Sequence, residues 1–244
     1  MLEKLKRVYH HELFHPTILS VFINPLYFLR KGLWQGFTYH SQQMTGIMLD
    51  FGCGSKPYRK IFSVDEYIGL DIETSGHSHD DEVIDVFYDG REIPFEDSYF
   101  DSIFSAEVFE HLFNLEEILD ELNRVLKPGG KMLVSVPFVW DEHEIPYDFG
   151  RYTSFGIKHL LEKHGFELIS SDKTTNYVET VFQMWNSYLS QSLLPANRIL
   201  NLLLTILFIS PFNLLGIIVS VILPDNGHFY NNNIILSQKK TRIL

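Results

Sequence analysis

A chain of 244 residues, 45% hydrophobic and 21% charged, is long enough for one large α/β domain with an insertion and short for two full domains. Its net charge of -11 excludes a general nucleic-acid binder, because surfaces that track phosphates are basic. The single cysteine, Cys53, excludes an intramolecular disulfide and fits a reducing compartment.

The charge is uneven. Residues 1–45 carry five Lys/Arg against two acids, a balance of +3, which leaves -14 for the remainder. They mix basic, histidine and aromatic positions, and Pro16 and Pro25 divide them into short helices. This stretch reads as a helical N-terminal cap, residues 1–45, ahead of a main domain at 46–244. Two roles stay open for it: packing over the sheet edge or a cofactor, or lying at a lipid interface with Arg30 and Lys31 at headgroup level. The N-terminus is charged and lacks the compact apolar core of a cleavable signal peptide. A cytoplasmic location is expected, with peripheral attachment to the inner face of the membrane as its variant.

From Ile47 to Tyr58 an apolar run ends in Asp50, turns through Gly52-Cys53-Gly54 and restarts at Pro57. This predicts a buried strand, a tight loop and a helix around Pro57–Phe62. The glycines let the backbone pass close to a ligand at the carboxyl edge of a parallel strand. A dinucleotide fingerprint would need a third glycine where Pro57 stands, and Asp50 would repel a pyrophosphate. A cofactor bearing an ammonium and a sulfonium would be attracted instead, which favours S-adenosylmethionine over NAD. Cys53 reads as a small apolar turn residue rather than a catalytic thiol, since no histidine neighbours it in sequence.

A second strand, Glu66–Leu70, ends at Asp71, about where a carboxylate would hold a ribose diol. Residues 74–82 (His77, His79, Asp80 and Asp81 among them) read as a solvated loop, and no metal is expected. A third strand, Val83–Tyr88, ends at Asp89-Gly90. A fourth covers Phe100–Ser105, with Glu107 starting the loop beneath the cofactor. A helix at Leu115–Leu126, a turn at Lys127-Pro128-Gly129-Gly130 and a fifth strand at Lys131–Val136 follow.

From Leu49 to Gly130 the run strand-D-x-G-C-G, an acid after strand two, D-x-x-x-I-P-F-x-D-x-x-F-D, E-H and R-V-L-K-P-G-G resembles the class I S-adenosylmethionine-dependent methyltransferases of the small-molecule type. The resemblance extends over roughly Ile47 to Ser171. It implies an α/β, Rossmann-like, doubly wound seven-stranded sheet with an antiparallel last strand. It also implies that Gly52 and Gly54 approach the methionine part, that Asp71 holds the ribose, and that Asp89 with Gly90 meets the adenine edge. Ser105 to Glu107 would floor the methionine. One departure stands out: many members carry a third glycine where this chain has Lys56. Glu110 and His111 read as packing residues.

After strand five, Pro137–Thr153 concentrates His143, Glu142, Glu144, Asp148, Arg151 and Tyr152 among aromatics, at a strand edge where open α/β sheets bind ligands. Methyl transfer to oxygen needs a proton acceptor, and a histidine ordinarily titrates near neutrality, which suits His143. Arg151 suits a clamp on a phosphate or carboxylate. The alternative is that Asp148 and Arg151 pair to fix the loop. The run H-E-x-P-Y-D-F-x-R-Y-T is similar to loops of methyltransferases associated with bacterial surface-glycan assembly. Thr153 or Ser154 should cap a helix through His164, stopped by Gly165, before a sixth strand at Phe166–Ser171.

Ile199–Leu223 contains no charge and is long enough to span a bilayer. The last strand, at Asn233–Lys239, has to return to the sheet, so a single crossing would strand it on the wrong side. With Pro211 as a break, the expectation is two short helices forming a hairpin in an insertion at about 180–224. Such an apolar surface needs a cover: a membrane, the active site beneath it as a lid, or a second copy in a homodimer. The expected function is methyl transfer from S-adenosylmethionine to a hydroxyl of a sugar or lipid-linked glycan intermediate. The alternatives are a quinone-like lipid acceptor and a non-catalytic, membrane-docked cofactor-binding subunit.

Overall fold

The computed structural model describes residues 2–73 and 83–241, with side chains of the first helix from Val8 onward. The histidine- and acid-rich run at 74–82 lies outside them. The chain divides into two compact units, one of residues 36–172 and 233–244, the other of 1–35 and 173–232.

Seven strands form one sheet: β1 (Ile47–Phe51), β2 (Glu66–Ile72), β3 (Val86–Tyr88), β4 (Phe100–Ala106), β5 (Leu126–Pro137), β6 (Phe166–Lys173) and β7 (Asn232–Lys239). Their order is β3-β2-β1-β4-β5-β7-β6, parallel from β3 through β5 and with β7 antiparallel, as expected. Central strands buried on both faces need near-continuous apolar runs; Met48, Leu49, Phe51, Ile103 and Phe104 are all buried. The helices are α1 (Leu2–Phe14), α2 (Ser20–Ile23), α3 (Tyr27–Ser41), α4 (Leu115–Val125), α5 (Ser154–Lys163), α6 (Tyr177–Leu193) and α7 (Arg198–Ile222). Helix α4 buries Leu115, Ile118, Leu119, Leu122 and Val125, one face at helical spacing. Helix α5 is capped by Thr153, whose Oγ1 accepts the Gly156 N–H at 3.0 Å, and stops before Gly165 at φ +84°.

Three local expectations are corrected. No α-helix follows the glycine loop; a single 3-10 turn, Arg59–Ile61, stands there. Tyr58 and Phe62 bury themselves on either side of it and pack against Phe104, and the chain has only a few residues before β2 starts at Glu66. The Lys127–Gly130 run is no separate turn either. It lies within β5, with a register irregularity opposite Phe100 and Ser102, and Gly129 at φ +77° absorbs it.

The third correction concerns the apolar segment. Arg198–Ile222 is one 25-residue helix, not a hairpin. A π-helical turn at Thr205–Ile209 precedes Pro211 and accommodates the missing N–H without a break. Its packing partner is α6. Alongside buried apolar side chains such as Leu189 and Ile209, the α6–α7 contact buries an unusual share of polar and small residues. The faces turned inward present Thr180, Gln183, Asn186 and Ser187 from α6 and Thr205, Ser210, Asn213 and Gly216 from α7. Asn186 Nδ2 donates to Asn213 Oδ1 at 2.8 Å, and Asn213 Nδ2 donates to the carbonyl of Val21 at 2.9 Å. Gly216 is required for close approach, since a Cβ there would lie 2.7 Å from Phe28 Cζ. Outward stand Trp185, Tyr188, Leu203, Leu207, Ile218 and Val221, all exposed.

Candidate active site

The glycine loop is fixed from beneath by β2. Gly52 and Cys53 both donate their N–H to the Leu70 carbonyl, at 2.9 and 3.2 Å. Gly52 sits at φ +70°, where a Cβ would meet Val108 Cγ2 at 2.4 Å, so both the turn and the fit demand glycine. Asp71, at the carboxyl end of β2, accepts the Gly54 N–H on one carboxylate oxygen and the Ile72 N–H on the other, each at 2.8 Å. A carboxylate pinned this way at the carboxyl end of a parallel strand suits a ribose diol. Lys56 takes φ +52°, the conformation a glycine would adopt, and its ammonium pairs with Asp85 at 2.6 Å.

Asp50 does not stand open at the loop mouth. It is buried and accepts the hydroxyl of Tyr67, and burial pushes its carboxyl up to about 7. Burial, followed by the charge of Asp50, raises the Cys53 thiol, which leaves it an inert packing group. Asp89 is solvent-facing and caps the N–H groups of Arg91 and Glu92 through Oδ1, at 2.9 and 3.1 Å; Gly90 beside it turns at φ +81°.

At the ends of β4 and β5, Ser105 Oγ donates to the Phe51 carbonyl at 3.0 Å. Glu107, at φ +57°, donates its N–H to Ser135 and accepts the Ser135 hydroxyl. One turn further on, Glu110 is completely buried, and neither of its carboxylate oxygens has a hydrogen-bond partner among the described residues. Burial, then the charge of Glu107, holds its carboxyl well above the ordinary range.

The Pro137–Thr153 loop closes around a guanidinium. Arg151 reaches Asp148 at 2.5 and 2.7 Å, the carbonyls of Gly150 and Asp141 at 2.7 and 2.6 Å, and that of Trp140 at 3.3 Å. These contacts use all five of its donors. The hydrogen bonds from Arg151 hold the Asp148 carboxyl far below the usual carboxylate range. In this geometry Arg151 braces the loop, the alternative left open by the sequence, and no donor remains for a substrate clamp. His143, half-buried, lies with Nδ1 at 3.2 Å from the Asp141 carbonyl and 3.3 Å from Asp148 Oδ2. Its ring meets His111 edge to face, with centroids 4.7 Å apart.

The fold therefore gathers Glu107, Glu110, His111, His143, Asp148 and Arg151 in one cluster beside the glycine loop. Tyr67, Asp85, Ser135 and the Glu110-His111 pair escaped sequence reasoning as site residues. The spacing of Glu107, Glu110 and His111 directly after a strand was the available signal for the last pair.

A methyltransferase-domain family matches residues 49–134. The chain is 28% identical over 158 residues to a sterol 24-C-methyltransferase of Schizosaccharomyces pombe, covering 53% of this chain and 42% of that protein. It is 41% identical over 61 residues to a ubiquinone/menaquinone biosynthesis C-methyltransferase of Cupriavidus taiwanensis, covering 25% of each. The chain thus spans less than half the length of each of these curated relatives. Its fold is similar to that of phosphoethanolamine N-methyltransferase 2 of Haemonchus contortus in complex with S-adenosyl-L-methionine. That likeness has a TM-score of 0.52 at 19% identity and covers 96% of this chain and 60% of that one. The motifs from Leu49 to Gly130 and the reversed β7 agree with that match: residues 49–134 carry a methyltransferase domain of the class I, S-adenosylmethionine-dependent type.

Proposed function

We propose that this chain transfers the methyl group of S-adenosylmethionine to a hydroxyl of a sugar or lipid-linked glycan intermediate. The observation that carries this reading is His143. The Asp148-Arg151 brace holds it, with its Nδ1 turned toward oxygen acceptors, in the cluster that includes Glu107 beneath the expected methionine site. The acceptor oxygen attacks the methyl carbon, the C–S bond breaks to release S-adenosylhomocysteine, and the hydroxyl proton passes to His143 Nε2. Much of the rate comes from holding the acceptor in line with the sulfonium. Gly52, Gly54, Asp71, Asp89, Gly90, Ser105 and Glu107 are the cofactor contacts in this reading, with Asp50 acting through the loop it underlies.

The polar and small residues buried between α6 and α7 support an acceptor held at a lipid surface. Polar and small side chains make much of the helix contact while many apolar ones face outward, the packing found where the surroundings are hydrocarbon. Helix α7 is long and apolar enough to cross a bilayer. Because β6 and β7 share one sheet, it lies along one face of the membrane rather than through it. The basic balance of residues 1–45 favours the anionic inner face of a cytoplasmic membrane.

A second reading, methyl transfer to a quinone-like or sterol-like lipid, is favoured by the names of the matched relatives. One experiment separates the readings: methyl-labelled S-adenosylmethionine, purified protein and an extract of the source cells, partitioned into aqueous and organic phases. Label in the organic phase on material that releases sugar on mild acid supports the lipid-linked glycan. Label on an acid-stable lipid supports the quinone-like acceptor. Water-soluble label turns α7 into a lid or dimer element, and absence of label with S-adenosylhomocysteine bound leaves a non-catalytic subunit.

A further inference from the structure

We infer that Glu110, His111 and His143 form a binding site for a divalent transition-metal ion at the acceptor side of the cluster. One ligand atom from each lies within 4.8 Å of the other two. Any three atoms so placed fall within about 2.8 Å of a common point, so shifts of about 0.7 Å bring them to the 2.0–2.2 Å of zinc–nitrogen and zinc–oxygen bonds.

The independent observation is Glu110. A fully buried carboxylate with neither oxygen hydrogen-bonded among the described residues is costly, and protein interiors pair such groups or give them an ion. Its Oε1 faces His111 Nε2 at 3.9 Å, and Glu144 Oε2 lies 3.8 Å from the same nitrogen.

The histidines are oriented for coordination. His111 Nδ1 lies 2.7 Å from the Tyr147 carbonyl, and His143 Nδ1 faces the Asp141 carbonyl and Asp148. Metal-ligating histidines donate the opposite ring N–H to a carbonyl or carboxylate, which fixes the tautomer and leaves Nε2 for the ion. Two imidazoles and one carboxylate select zinc, cobalt, iron or manganese over calcium or magnesium. Three protein ligands also leave a position for an exchangeable oxygen.

The role of the ion rests on the hydroxyl reading above. A bound hydroxyl loses its proton to solvent more readily, and its oxygen then takes the methyl group as the C–S bond breaks. His143 then serves as ligand rather than as proton acceptor.

The test titrates chelator-stripped, full-length protein with Co²⁺, followed by calorimetry and visible absorption, and with Zn²⁺ by metal analysis after dialysis. One ion per chain is expected, with affinity falling about tenfold or more in both Glu110→Gln and His143→Ala. Circular dichroism and thermal melts of each variant verify folding. Absence of binding, or binding unchanged in both folded variants, overturns the site. If metal binds as expected but stripped and loaded proteins transfer methyl equally well, the role in transfer is overturned and the hydroxyl reading survives. If loaded protein methylates only carbon acceptors, the hydroxyl reading fails while the metal site stands.

Discussion

Lys56 holds its ammonium 2.6 Å from Asp85 while its own backbone sits at φ +52°, in the left-handed region. The same Asp85 oxygen accepts the Gly69 N–H at 2.7 Å, so one carboxylate ties the glycine loop to β2. A lysine here keeps the conformation a glycine would adopt, at a backbone cost of about 1–2 kcal/mol. The ion pair, half-exposed at Asp85, offsets no more than about 1 kcal/mol of it.

Lys56→Gly should therefore leave stability within about 1 kcal/mol of wild type, because relief of strain balances loss of the pair. Lys56→Ala keeps the strain and loses the pair, and is expected to be the less stable of the two. Urea unfolding of both variants measures the difference; equal midpoints would show that the left-handed conformation carries no cost here.

Gly52→Ala meets both a positive φ and the Val108 side chain. A loss of about 1–2 kcal/mol from the backbone alone is expected, with S-adenosylhomocysteine affinity falling roughly tenfold or more as the loop shifts. Calorimetric titration checks this, and Val108→Ala in the same chain should recover part of the loss.

Asp50 makes stability depend on pH in a defined direction. Its folded value, pushed up by burial to about 7, lies above the ordinary carboxylate value of 3.8. The folded state therefore binds the extra proton, and this contribution is fully present below about 4 and lost as pH rises through 7. The full window amounts to something on the order of 4 kcal/mol. Melting temperatures of wild type and Asp50→Asn, compared from pH 5 to 8, should diverge in slope. Parallel curves would mean that Asp50 is ionised throughout.

Arg151→Lys should separate brace from clamp. Lysine cannot reproduce the fork on Asp148 together with the three carbonyl contacts. Turnover is expected to fall at least about tenfold with cofactor affinity unchanged, since the loop and not the glycine site loosens. Protease nicking within 137–153 should accelerate in parallel; an unaltered cleavage rate would argue against the brace.

The helical unit predicts opposite outcomes for its two faces. Ile218→Glu, on the outward face, should abolish flotation with anionic vesicles and leave the thermal melt unchanged. Asn213→Ala, on the inward face, leaves Asn186 Nδ2 and two carbonyls without their partner and should cost about 1–3 kcal/mol. Wild type that does not float would point to a lid or a dimer core, which sedimentation would distinguish, and flotation unaffected by Ile218→Glu would place the lipid contact away from this face.

Much of this fold was legible along the chain because its signals are local. The apolar run ending at Asp50, the glycines, Asp71 at the end of β2, the face of α4 and the Thr153 cap each depend on near neighbours, and each stands where its spacing puts it. The apolar stretch at 199–223 misled for the same reason. Pro211 predicts a break locally, yet a π turn, packed against α6 through Asn213 and Gly216, keeps α7 continuous.

The sequence by itself determined the order of the sheet elements, the cofactor class and the loop that bears His143 and Arg151. Only the tertiary structure decided what those charges do. Burial turned Asp50 from a loop-mouth anion into an interior carboxyl. Arg151 spends every donor on its own loop. Glu110 and His111, which read as packing residues, meet His143 from 32 positions away around a buried carboxyl that has no hydrogen bond among the described residues. Desolvation and pairing depend on what the fold brings within a few ångströms, and spacing along the chain does not carry that information.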